Sequence, residues 1–374
     1  YMLQIFILRP KAIEFFFRYR LHGRLLKQAS LSSSIRDILI RHILSRSNGD
    51  ISALNIPQDT AFSYKTQEGE MLHIRVSTVT SIGGYSIVMR LLTMKVLDGV
   101  ESYIKNPALR NGIMNFLKQR NGMFVATGPT GSGKTTFLYH ILQDIVHRDH
   151  AQEKIMTIED PVEVILPGIT QVQVNEKIGL DFEDIIKVSL RQNPDVLMLG
   201  EIRDTTSAMM AMRASITGVM VFATIHSRTA EEVVFRLRDL GVPSAMIANS
   251  LKFVVSMRLI KKLCESCKVK FNDVEERSSF EKYFPHLSFE ERDNLFSPVG
   301  CEFCHSTGYN GFIPVYEFFS MTKKQHHALA ESNFSEFKRL LDDEVNGETL
   351  FNQVSRLFKL GVTSIEEVYS VIFV

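Results

Sequence analysis

A strand-like run, Met123 to Thr127, is followed by Gly128 to Thr135, which reads GPTGSGKT, and then by helix-competent sequence from Thr135. Four fixed positions of a G-x-x-x-x-G-K-[ST] pattern, flanked in the order strand, loop, helix, commit this part of the chain to an α/β fold. Glycines at 128, 131 and 133 let the backbone turn with its N–H groups inward, and the helix behind them offers the positive end of its dipole. The chemistry that needs such a cradle is polyphosphate binding. Gly128, Pro129, Thr130, Gly131, Ser132, Gly133, Lys134, Thr135 and Thr136 are therefore expected to hold ATP or GTP, Lys134 reaching the terminal phosphates and the Thr135 hydroxyl a magnesium ion. The plainer alternative is a Gly-rich turn with an incidental lysine.

The chain has 374 residues, 45% of them hydrophobic, which allows two or three domains with cores of their own. Net charge is +1, so any hold on nucleic acid or an anionic membrane must rest on a local patch. The apolar start, Met2 to Leu8, is too short for a span and wrongly ordered for a signal peptide, and no apolar stretch of membrane length follows. The expected setting is the cytoplasm. A first residue that is Tyr rather than Met leaves room for a truncated start.

Residues 1–97 alternate strand-like runs with one helix, the pattern of a small α+β domain. Strands are expected at 14–20, 62–66, 71–79 and 85–92, with a turn at Glu68 and Gly69, and a helix at 32–45 capped by one of Ser32, Ser33 and Ser34. Strand alternation puts Leu72, Ile74 and Val76 on one face and His73, Arg75 and Ser77 on the other, and sets Val88 and Arg90 opposite Ile87, Met89 and Leu91. Such arginines are ordinarily just solvated. Residues 98–106 read as a linker, and Pro107 opens a helix. From there short apolar strands at 123–127, 155–159, 196–200 and 219–224 alternate with helices at 134–147, 181–192, 205–217 and 229–240. That alternation argues for a mostly parallel sheet covered on both faces.

Three side chains at strand ends extend the loop into a site. Glu201 closes the run from Val196 and is placed to orient a water and accept its proton for in-line attack on a γ-phosphate. Glu159, in the cluster Glu159, Asp160 and Glu163, and His226, after Thr224, fall where open α/β sheets put their ligands. The alternatives are a capping carboxylate and a structural imidazole.

All four cysteines fall in two C-x-x-C pairs, Cys264 with Cys267 and Cys301 with Cys304. Four thiolates so spaced suit one structural zinc, and two disulfides are the alternative. The 33 residues between the pairs must close as a loop or small insertion. Basic Lys261, Lys262, Lys268 and Lys270 are offset by Glu275, Glu276, Glu290, Glu291 and Asp293, a thin footprint for a phosphate backbone.

On these residues, and on stretches such as 17–23 (FRYRLHG), 54–59 (LNIPQD), 157–163 (TIEDPVE), 190–195 (LRQNPD), 200–204 (GEIRD), 223–227 (ATIHS) and 308–311 (GYNG), the chain resembles the ATPases of type II secretion, type IV pilus assembly and competence systems. The resemblance covers nearly its whole length. It implies a RecA-like ATPase core over 107–374, with a zinc element at 261–312 and a helical region at 320–374, behind a PAS-like α+β domain. It further implies a hexamer and a membrane-embedded platform protein as partner, which the zinc element would serve as a rigid docking arm. The resemblance makes Arg75 and Arg90 phosphate-sensing candidates, Glu159 the acidic-box carboxylate, Glu201 the catalytic base and His226 the histidine-box residue. The cysteine pairs point to an assembly rather than a retraction motor, and the short N-terminal region looks most like the Gram-positive competence-pilus ATPases that support DNA uptake. His22, Asn193, Thr205, Val219 and Phe312 depart from the family pattern. Competing readings are a RecA-like nucleic-acid translocase and a nucleotide-gated scaffold that does not hydrolyse.

Overall fold

The computed structural model describes residues 4–11, 14–21, 24–69, 71–81, 84–93, 99–148, 152–175, 179–270, 294–345 and 348–372. Met2, His22, Asp98 and the acids Glu275, Glu276, Glu290, Glu291 and Asp293 lie outside them. The chain divides into two compact units, one of Tyr1–Val96 with Cys264–Lys268 and Pro298–Gly311, the other of Leu97–Leu263, Val269–Ser297 and Phe312–Val374.

In the first unit β1 (Gln4–Lys11), β2 (Glu14–Leu21), β3 (Arg24–Ser32), β4 (Gln58–Lys65), β5 (Met71–Ser81) and β6 (Gly84–Thr93) form one sheet in the order β3-β2-β1-β6-β5-β4. Every neighbouring pair is antiparallel. Helix α1 (Ser33–Arg46) follows Ser32 at its N-cap and lays Ile40, Ile43 and Leu44 against Ile74, Val76 and Ile87. One face of the sheet is thereby buried, as the alternation requires, and Arg75 and Arg90 belong to the other. They are direct partners across β5 and β6. β3 was not anticipated, because Arg24, Lys27, Gln28, Ser30 and Ser32 interrupt the apolar alternation that marks a strand.

The second unit holds α2 (Gly99–Tyr103), α3 (Pro107–Leu117), β7 (Gly122–Thr127), α4 (Lys134–Arg148), β8 (Ile155–Glu159), β9 (Thr170–Gln173), α5 (Phe182–Arg191), β10 (Val196–Leu199), α6 (Thr205–Ile216), β11 (Met220–Ile225), α7 (Ala230–Asp239), α8 (Ser244–Ser250) and β12 (Leu251–Leu263). β13 (Val269–Lys270) and β14 (Phe296–Ser297) form a two-stranded ladder, and β15 (Tyr309–Ser320) precedes α9 (Lys323–Ala330), α10 (Phe334–Val345), α11 (Leu350–Lys359) and α12 (Ile365–Ile372). The central sheet runs β15-β12-β7-β11-β10-β8-β9. Its pairs from β12 through β9 are all parallel.

Every residue of β7, β8, β10 and β11 is buried, the mark of strands covered on both faces. On one face Phe124 stacks on Phe253 at 4.9 Å between ring centroids and meets Phe116 and Phe222 edge-on or tilted. Each such ring withdrawn from water contributes about 2 to 3 kcal/mol. On the other face Leu197, Leu199, Val221 and Ala223 pack with Ile185, Ala208 and Val233. The segment expected as a linker carries α2, with Val100 and Ile104 fully buried beside α4. Asn106 caps α3, Asp181 caps α5, Asp204 caps α6 and Thr229 caps α7, each accepting from a backbone N–H three residues on.

Candidate nucleotide and metal sites

The parallel register brings the carboxyl ends of β7, β8, β10 and β11 to one edge. Between β7 and α4 the loop turns through Gly128, Gly131 and Gly133, with φ of 142°, 80° and 91°. Gly128 is required on two counts. Its φ disfavours any side chain, and a Cβ there would lie 2.5 Å from the Met257 carbonyl and 2.7 Å from Ser132 Oγ.

Lys134 is buried and donates to the carbonyls of Gly128 at 2.8 Å and Pro129 at 3.0 Å. Burial lowers its pKa to about 8; the nearby Glu201 charge pulls it back up, and Arg258 pushes it further down. A buried ammonium bonded to two backbone carbonyls, a Ser132 hydroxyl buried without a partner, and a glycine turn leading into a helix N-terminus together fit an anionic phosphate chain. Thr135, partly exposed at the first turn of α4, would supply a hydroxyl ligand to a magnesium ion bound with such phosphates.

Glu201 stands two residues past the end of β10. Gly200, before it, crosses so close to β8 that a Cβ would sit 3.1 Å from the Ile158 carbonyl. Its carboxylate takes Arg203 Nε at 2.7 Å on one oxygen and His226 Nε2 at 3.2 Å on the other. The opposite ring nitrogen of His226 faces the Gly128 carbonyl at 3.2 Å. The imidazole thus links Glu201 to the glycine turn. Thr127 holds that arrangement in place, its hydroxyl bonding Ser227 Oγ at 2.8 Å and the Ile225 carbonyl at 2.9 Å, which ties the end of β7 to the turn carrying His226.

Glu159 differs from Glu201. It is almost fully buried and accepts from Thr157 Oγ1 at 2.6 Å, from Gln171 Nε2 at 3.1 Å and from Tyr139 Oη. Burial, then the charge of Glu159, raises the Tyr139 phenol far above its ordinary value, so it stays a donor. Asp160, next along the chain and half exposed, meets Arg203 Nη1 at 3.5 Å. Arg203 therefore joins the two acidic segments. Sequence reasoning quoted Arg203 within its motif without giving it a role, and had no signal for Thr127 or Tyr139, whose partners lie on other strands or helices.

Arg75 and Arg90 stand across from each other in the first unit, with Asp59 3.9 Å from Arg75. Two guanidinium groups on directly opposed strand positions repel, and an anion relieves that cost.

The four cysteine sulfurs all lie within 4.8 Å of one another. Cys264 and Cys301 are 3.9 Å apart, Cys267 and Cys304 3.7 Å, and Cys301 and Cys304 3.8 Å. Four sulfurs at about 2.3 Å from a tetrahedral zinc would be spaced at about 3.8 Å, whereas a disulfide needs about 2 Å. Burial pushes the Cys304 thiol up, but N–H bonds from Cys301 and Gly308, both 3.2 Å, and the neighbouring thiols outweigh it, bringing it down to about 6. The set fits a soft divalent metal. Of the sequence between the pairs, β13 and β14 pair with each other, and residues 271–293 lie outside the described residues.

Among the described residues no helix is long and apolar enough to cross a membrane.

The sequence pattern of the family described as Type II/IV secretion system protein matches residues 4–370. The chain is similar to the type IV pilus assembly ATPase PilB of Acinetobacter baylyi, 37% identical over 94% of this chain and 60% of the relative. It is also similar to the type II secretion system protein HxcR of Pseudomonas aeruginosa, 34% identical over 95% of this chain and 70% of that protein. The chain thus spans roughly three-fifths to seven-tenths of such relatives. Two solved structures share its fold. They are the Legionella pneumophila ATPase DotB, at 20% identity, 99% of this chain, 91% of that chain and a TM-score of 0.71, and the pilus retraction motor PilT with bound ADP, at 19%, 99%, 93% and 0.65.

Proposed function

We propose that this chain, which belongs to the type II/IV secretion system protein family, is an ATPase whose hydrolysis drives assembly of a pilus or a secretion pseudopilus. The observation that carries the reading is the convergence of Lys134, Glu201 and His226 at one sheet edge, with His226 bridging the base and the loop.

In this reading the loop N–H groups and Lys134 hold the phosphates, and Glu201 accepts the proton of the attacking water. Magnesium, at Thr135, supplies charge neutralisation between the phosphates when bound. Lys134 must leave the Gly128 and Pro129 carbonyls to meet the phosphates, and His226 senses the exchange because it shares the Gly128 carbonyl. Glu159, with its oxygens taken by three donors, positions the adjoining acidic turn rather than handling protons. Arg75 and Arg90 serve as a phosphate-contacting pair. The four cysteines hold a structural zinc.

Hexameric assembly and recruitment to the cytoplasmic face of the membrane by a platform protein complete the proposal. Relatives named for pilus assembly and secretion support the assembly direction. The finer reading, a competence pilus supporting DNA uptake, rests on the sequence resemblance. A sizing run with and without nucleotide, coupled to an ATPase assay with and without single-stranded DNA, tests the whole. ATP-dependent hexamers whose turnover ignores DNA are expected, and turnover driven by DNA would favour a translocase.

A further inference from the structure

Beside the phosphate loop lies a cation that the reading above does not use. Arg258, on β12 one strand over from β7, is 7% exposed. Its Nη2 donates to the Arg228 carbonyl at 3.0 Å and its Nη1 to the Met257 carbonyl at 3.2 Å, while Nε is buried with no partner. Among the described residues no carboxylate lies within ion-pair distance of it, and only the charges of Glu317 and Glu232 act on it from farther off. Buried guanidinium groups are ordinarily matched by a carboxylate, because removing a charge from water is otherwise expensive. This one has those two carboxylates only at longer range and lies against the loop, with Nη1 3.2 Å from where a Gly128 Cβ would stand.

We infer that Arg258 is a fixed counter-charge behind the phosphate loop, a positioning residue whose buried cation raises the affinity of the site for nucleotide phosphates. Three observations converge on this. The first is geometry: the guanidinium is immobilised by two carbonyls and a packed glycine, so it supplies charge without reorganising when phosphate arrives. The second is the like-charge neighbour. Burial chiefly lowers the Lys134 pKa, the Glu201 charge opposes that, and Arg258 adds a smaller push downward, so two buried cations stand beside the loop where a phosphate chain would bind. The third is the anchor: Ser256 Oγ donates to the same Arg228 carbonyl at 3.0 Å, so the position of that carbonyl does not depend on Arg258 alone.

A backing charge of this kind acts on ATP and ADP alike, since it senses phosphate charge and not the γ-phosphate or the transition state. It should therefore appear in KM rather than in kcat.

The inference rests on Gly128 to Thr135 being the phosphate site, and the test separates the two. Full-length Arg258→Met, Arg258→Lys, Ser256→Ala and Lys134→Ala are compared for Mg-ADP affinity with a fluorescent ADP analogue and for steady-state ATPase kinetics. Arg258→Met is expected to weaken ADP binding and raise KM by about tenfold each, with kcat changed less than about twofold. Arg258→Lys, which keeps the charge and loses the forked bonds, should stay within about threefold of the parent, and Ser256→Ala closer still. Equal defects in the Met and Lys variants, or a fall in kcat at unchanged KM, would overturn the inference in favour of a purely structural arginine. If Arg258→Met does not fold, the lysine variant decides alone, a loss beyond about tenfold counting against the charge. Undiminished ADP binding in Lys134→Ala would instead remove the phosphate-site reading beneath it.

Discussion

The two sheets of this protein use arginine and lysine in opposite ways. In the parallel sheet of the second unit every strand residue of β7, β8, β10 and β11 is buried, so charge can enter only where strands end. Lys134, Glu201 and His226 stand just beyond those ends, and Arg258, within β12, lies two residues past the pairing of Ser256 with Thr127, the last residue of β7. In the antiparallel sheet of the first unit α1 covers one face, and Arg75 and Arg90 sit in mid-strand on the opposite face, neighbours across the ladder. A sheet covered on both faces concentrates its chemistry at a single edge. One covered on one side spreads it over a surface.

That contrast is broken most severely at the edge. Lys134→Ala should abolish measurable turnover, and Glu201→Gln should retain nucleotide binding while hydrolysis falls at least ~100-fold, read by steady-state ATPase assay beside nucleotide-binding isotherms. Near-parental hydrolysis in Glu201→Gln would remove the base assignment. Next comes the metal. One zinc per chain is expected by elemental analysis, and Cys264→Ser with Cys301→Ser should lose it together with about 2 kcal/mol or more of stability. A metal-free preparation of parental stability would refute the site.

Weaker effects are expected from the surface. Arg75→Ala and Arg90→Ala should each lower turnover about tenfold with the melting temperature unchanged, because neither side chain is in the core. Parental rates in both would reduce the pair to solvated charge.

The smallest effect concerns Glu317, which is buried and accepts from the N–H groups of Ala230 and Leu350 at the starts of α7 and α11. Burial raises its pKa, against those two N–H bonds. A raised carboxyl binds its proton more tightly in the folded state than in the unfolded one. Its contribution to stability is thus present below the ordinary value of 4.5 and is lost as pH rises through the folded value. Glu317→Gln should flatten this part of the stability curve, so the variant gains on the parent above that window. Denaturant midpoints across the pH range would read the difference, and parallel curves would exclude it.

Much of this architecture was legible in the chain. The phosphate loop carries its own backbone geometry, since three glycines at fixed spacing allow a turn that few other sequences can make. Short apolar runs marked β7, β8, β10 and β11 because both their faces must be dry, and alternation marked the buried face of β5 because only one is. The helix expected at 181–192 does begin on its own cap, Asp181. Less visible were β3, whose residues are too polar to announce a strand, and α2, a five-residue helix held by the burial of Val100 and Ile104 rather than by propensity.

Candidate residues were legible as types and not as roles. A carboxylate at a strand end is the same letter whether it is Glu159, walled in by Tyr139, Thr157 and Gln171, or Glu201, open to Arg203 and His226. By itself the sequence determined the loop, the pairing of four thiols and the periodicities that sort strands into faces, because each depends on residues close in the chain. Only the tertiary structure decided which carboxylate is buried, that His226 bridges Glu201 to Gly128, that Arg75 faces Arg90, and that Arg258 lies behind the loop. Those relations join residues distant in the chain and on separate elements, where register and packing, and no local pattern, set the distance.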